Sequence, residues 1–113
     1  MNRAPEPPKT FKEFVARYPK LAEAWERISE AGAEGPLDEE TARLVKLGIA
    51  VGAMREGAVH ASVRKAHALG IPREAVEQVV ALAAGTLGLP STVAVWTWVR
   101  EMAAEDPAAE REG

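Results

Sequence analysis

LDEETARLVKLGIAVGAMREGAVHASVRKAHALGIPREAVEQVVALAAGTLGLPSTVAVWTWVREM, residues Leu37 to Met102, decides the fold of this chain. Asp38 is a helix N-cap, with Glu39 and Glu40 in the first turn, where the helix dipole favours negative charge. From Leu44 to Met54 apolar or small residues fall on nearly every face, so this helix must be covered on all sides. Arg55, Glu56 and Gly57 mark a break. A following helix from about Ala58 to Leu69 carries Val59, Val63 and Ala66 as its core stripe, and Gly70 stops it. Pro72 opens a helix through about Ala84, with Val76, Val79, Val80 and Ala83 inward. Gly85 to Gly88 form a turn, and Pro90 opens a last helix that ends before Asp106. The Gly-rich AAGTLGLP segment lacks the lysine and the preceding strand of a P-loop, so it reads as a close helix-to-helix turn. No run has the alternation of a strand.

Upstream, Thr10 and Glu13 have capping-box spacing and open a short helix through about Arg17, which Tyr18 and Pro19 interrupt. Leu21, Ala24, Trp25 and Ile28 recur at helical spacing and predict a second helix ending near Gly32. The Pro-rich residues 1–9 are expected to be a disordered leader and residues 106–113 a disordered tail, leaving one all-α, six-helix domain over residues 10–105. Trp96 and Trp98 stand about 200° apart on a helix, so both cannot face one core. One indole is therefore expected to meet another subunit, which, with the all-round apolar third helix, predicts a homo-oligomer.

Composition narrows the function. The 113 residues hold one core, and a net charge of −3 without a basic cluster excludes a nucleic-acid footprint. Charge interrupts every apolar run before a membrane span is reached, and no signal pattern opens the chain, so a cytoplasmic location is expected. There is no cysteine, hence no disulfide, redox dithiol or thiolate metal site. Scarce asparagine and glutamine, with the missing cysteine, point to a thermophilic source.

The Leu37–Met102 stretch resembles the carboxymuconolactone decarboxylase and alkylhydroperoxidase D family. That resemblance implies a helical domain assembled as a trimer or hexamer. In the thiol-peroxidase branch a glutamate is followed about twelve residues on by C-x-x-C at a helix start and then, four residues further, by a histidine. With Gly70, Arg73 and Glu74 as anchors, Arg43 stands at the glutamate, Arg55 and Ala58 at the cysteines, and Ser62 at the histidine. All four relay positions are replaced, and no residue here supplies a recyclable thiolate, so a peroxidase label would not hold as thiol chemistry.

Glu56, His60 and His67 lie at offsets of four and seven, on one face of a helix that extends back to Glu56. His60 does not stand in for the histidine replaced by Ser62, because two residues turn it to the other side. Three readings apply to this stripe. Glu56 is a dipole partner, His60 a packed histidine and the arginines surface pairs. Alternatively, as the decarboxylase branch implies, Arg43 or Arg55 holds the carboxylate of a small carboxylate or lactone ligand, and Glu56 or His60 delivers a proton to the carbon that carbon dioxide leaves. The third reading is a divalent metal on Glu56, His60 and His67. No organic cofactor is expected. The function classes are thus a decarboxylase or other enzyme binding a lactone or carboxylate, with catalytic candidates Glu56, His60, Arg43 and Arg55, and a non-catalytic oligomeric scaffold that keeps the fold.

Overall fold

The computed structural model describes residues 9–104; the expected tail and all of the expected leader except Lys9 lie outside them. The described residues are all helical in their regular structure: α1 (Lys9–Arg17), α2 (Pro19–Ala33), α3 (Glu39–Gly52), α4 (Glu56–Ala68), α5 (Arg73–Leu82), α6 (Ala84–Leu87) and α7 (Leu89–Ala104). Six correspond to the expected helices. The seventh, α6, is a single turn inside AAGTLGLP, where Gly88 at φ +82° then ends the turn and lets α7 begin at once.

Local chemistry sets most of the boundaries. Asp38 caps α3 by accepting from the Thr41 backbone N–H at 2.7 Å. Gly70 adopts φ +77° beyond the end of α4, the left-handed stop that glycine provides. Pro72 sits at the N-cap of α5 rather than inside its first turn. Two starts differ from expectation. Lys9, the first residue described, is already helical, so Thr10 lies inside α1 and not at its cap. Helix α4 begins at Glu56, two residues before Ala58, which puts Glu56 in its first turn.

The core is the α3–α4–α5–α7 assembly, built on Leu47 and Val51 of α3, Val59, Val63 and Ala66 of α4, Val76 and Val80 of α5, and Val95, Val99 and Met102 of α7. Helix α7 touches α4, α5 and α6 at once. This explains the tryptophans. Trp96 and Trp98 flank the buried Val95–Val99 stripe, and both indoles are half-buried against the core of the same chain. The rotation separating them is real, but helices stand on both sides, so each indole is partly covered within its own chain.

The uncovered apolar surface lies elsewhere. Helix α3 is not enclosed on all sides: Leu47, Ala50 and Val51 are buried, whereas Val45 and Ile49 are 47% and 66% exposed. Helices α1 and α2 bury no residue, and Phe14, Leu21, Trp25 and Ile28 all stand exposed. Phe14 and Tyr18 pack on each other there, with ring centroids 5.3 Å apart, and the Arg17 guanidinium lies over the Tyr18 ring. No helix among the described residues is long and apolar enough to cross a membrane.

Candidate functional site

The candidate residues fall into two groups on different faces of α4. The first centres on Arg43. Its Nη1 donates to Ser62 Oγ at 3.3 Å, tying α3 to the buried side of α4. Its Nε is shielded from solvent and has no hydrogen-bond partner. Arg43 lines an open groove of about 980 Å³ between the α2–α3 linker and the α3–α4 pair, with Leu37, Ala42 and Leu69 as apolar wall and Lys46 and Lys65 as further cations. Lys46 follows Arg43 by three residues and so shares its helix face. Glu34 and Glu39 belong to the same lining.

The electrostatics of this groove are unbalanced. Partial burial lowers the pKa of the Lys65 ammonium, and the positive charges of Arg43, Lys46 and Arg64 lower it further. Arg43 is also lowered by burial, against which the Glu39 carboxylate acts. Partly desolvated cations held together favour an anion among them. Sequence reasoning found Arg43 and missed Lys46 and Lys65. The i, i+3 spacing of Arg43 and Lys46 was a legible signal; the approach of Lys65 from another helix was not.

The second group centres on His60. Its Nε2 lies 3.9 Å from Glu56 Oε2, one helical turn back, within ion-pairing range but too long for a hydrogen bond. Glu101, from the C-terminal end of α7, brings a carboxylate oxygen to the same place, so that one ligand atom from each of Glu56, His60 and Glu101 lies within 4.8 Å of the others. His67 is not in this cluster. Seven residues along a helix is a rise of about 10 Å, too far for it to share an ion with His60 without large side-chain movement.

Arg43 therefore does not stand beside Glu56 and His60. It bonds Ser62, which the helical repeat turns about 200° from His60. Arg55 is the exposed N-cap residue of α4, its side chain making no cap bond, and it is absent from the groove lining. Neither Glu56 nor His60 lines the groove.

The profile of the carboxymuconolactone decarboxylase family matches residues 19–101, reaching back over α2 as well as across the bundle. The chain belongs to that family. No curated protein and no solved structure matches it. Membership joins a cysteine-free chain to a fold whose thiol branch works through cysteine, and the two residues at the resembled glutamate and histidine positions, Arg43 and Ser62, are bonded to each other instead.

Proposed function

We propose that this family member binds a small carboxylate or lactone-carboxylate in the groove beside Arg43 and acts on it as a decarboxylase rather than a thiol peroxidase. One observation carries the reading: Arg43, Lys46 and Lys65 converge on a single groove in a chain of net charge −3, and the buried Nε of Arg43 lacks a partner. Arginine suits the task because its planar fork matches a carboxylate. In a decarboxylation the bond to the departing carbon dioxide breaks and leaves its electron pair on carbon, which takes a proton. Lys65, acidified by burial and its cationic neighbours, is the proton donor this groove offers. The carboxylate-holding role thus stays with Arg43, and proton delivery passes from Glu56 or His60 to Lys65.

Titration of the full chain with small mono- and dicarboxylates and a γ-lactone carboxylate, followed by isothermal calorimetry and by amide NMR shifts, tests the reading. Binding that weakens at least tenfold in Arg43→Ala and with rising salt is expected. Absence of binding, or binding indifferent to Arg43→Ala, overturns it.

The scaffold reading has its own support. Helices α1 and α2 bury nothing within the chain, yet short isolated helices are marginal in water. With Val45, Ile49 and Leu82 also exposed, a second copy of the chain is the proposed cover, in a trimer or hexamer. Native mass spectrometry of the wild type and Trp25→Glu distinguishes the cases: a higher oligomer that dissociates in the variant supports the assembly, and a wild-type monomer removes it.

A further inference from the structure

We propose that Glu56, His60 and Glu101 form a binding site for a divalent first-row transition metal ion that clasps the N-terminal end of α4 to the C-terminal end of α7. The cluster draws on two helices distant in sequence. Val59, Val63 and Ala66 of α4 and Val95, Val99 and Met102 of α7 belong to one buried core, and the two helices are in direct contact. That packing fixes the rails on which the donors ride. On α4, Glu56 and His60 are an i, i+4 pair, the spacing that stacks two side chains on one face. Glu101 completes the group from α7, immediately before the buried Met102.

Two features of the cluster point to a cation. The His60 side chain is 24% exposed, but its Nε2 faces inward, shielded from solvent and with no hydrogen-bond partner, where a polar nitrogen is nearly always satisfied. Its nearest charged neighbour, Glu56 Oε2, is 3.9 Å away. Donors bound at about 2.0–2.2 Å to one ion lie roughly 3–3.6 Å apart in tetrahedral geometry. A separation of 3.9 Å is therefore slightly too open for a shared ion and too long for a hydrogen bond, and rotation of the exposed Glu56 side chain closes the difference. The second observation is charge. The carboxylates of Glu56 and Glu101 converge, and among the described residues neither has a lysine or arginine within ion-pairing distance. Two like charges and an imidazole at one place are stabilised by a divalent ion.

The donor set defines the class of ion. One imidazole nitrogen and two carboxylates, without thiolate, suit zinc, iron(II) or manganese(II), and the nitrogen disfavours calcium and magnesium. Three protein donors leave a coordination position for water. The site is separate from the groove at Arg43, whose lining contains none of the three residues. Its failure would leave the carboxylate reading untouched, and the reverse holds as well.

Zinc chloride titrated into the chelator-treated full-length protein, with binding followed by calorimetry and folding by thermal melts, tests the proposal. One zinc per chain and a raised Tm are expected. His60→Ala and Glu101→Gln each weaken zinc affinity by at least tenfold, while His67→Ala leaves it unchanged. Glu101 is exposed, so Glu101→Gln is expected to retain the wild-type circular dichroism spectrum. No uptake at millimolar zinc overturns the proposal. So does wild-type affinity in a folded Glu101→Gln, or loss of affinity in His67→Ala, because either places the ion elsewhere.

Discussion

Arg43 Nη1 donates to Ser62 Oγ at 3.3 Å, so the two residues that the resemblance sets against the glutamate and histidine of the thiol-peroxidase branch touch one another across the α3–α4 interface. Where the resemblance implies an acid and a base, this chain has a fixed cation and a hydroxyl, neither of which relays protons near neutrality. Arg43 brings to the neighbouring groove a third cation beside Lys46 and Lys65, against the carboxylates of Glu34 and Glu39. Removing the hydroxyl in Ser62→Ala is expected to cost about 1 kcal/mol of stability, the worth of one ordinary hydrogen bond. Urea denaturation measures it. A loss of about 3 kcal/mol or more would mean that Ser62 contributes through packing and not chiefly through Arg43.

Crowded positive charge has an electrostatic signature. Lys65 is lowered by burial and then by Arg43, Lys46 and Arg64. Because its folded pKa lies below its unfolded value, the charged ammonium opposes folding at neutral pH. That opposition is relieved as the pH rises from the folded pKa towards the ordinary 10.5. Lys65→Gln is accordingly expected to raise Tm at low ionic strength, with the gain shrinking as salt screens the repulsion. Melting curves at low and high salt check this, and a gain independent of salt would refute the electrostatic origin.

At the start of α3 the sign is opposite. The Thr41 backbone N–H holds the Asp38 carboxyl below its ordinary 3.8. The ionised cap stabilises the fold above the unfolded pKa, and this contribution disappears as the pH falls through the lowered folded value. Asp38→Ala should melt below the wild type at neutral pH, and the gap should narrow as the pH drops below about 4, the ordinary aspartate range. A constant gap would point to a loss unrelated to ionisation.

Gly70 offers a test of backbone conformation alone. A methyl group there would meet nothing within 4 Å, yet the residue holds φ +77°. Gly70→Ala is therefore expected to destabilise by roughly 1–2 kcal/mol through left-handed strain without any clash. Chemical denaturation of the variant reads the difference directly, and an unchanged midpoint would show that the turn relaxes.

The helix plan was legible because its signals are local. Asp38, Gly70, Pro72 and Pro90 mark starts and stops through their own backbone or capping chemistry, and the 3.6-residue period of Val59, Val63 and Ala66 names a core face without reference to any other helix. Where rules of equal strength competed, the reading slipped. Thr10 had cap spacing, but it lies within α1, and the Gly-rich segment before Pro90 winds one turn of α6.

By itself, then, the sequence determined an all-helical, cysteine-free domain of the carboxymuconolactone decarboxylase type and supplied Arg43, Glu56 and His60 as groups with chemistry to offer. Only the tertiary structure decided their company. Arg43 went with Lys46 and Lys65, His60 with Glu56 and Glu101, and both indoles of α7 went to the core of their own chain. The reason is physical: helical periodicity fixes the direction of a side chain relative to its own axis, but which residue meets it from another helix depends on how the two axes pack, and the one-dimensional pattern does not carry that angle.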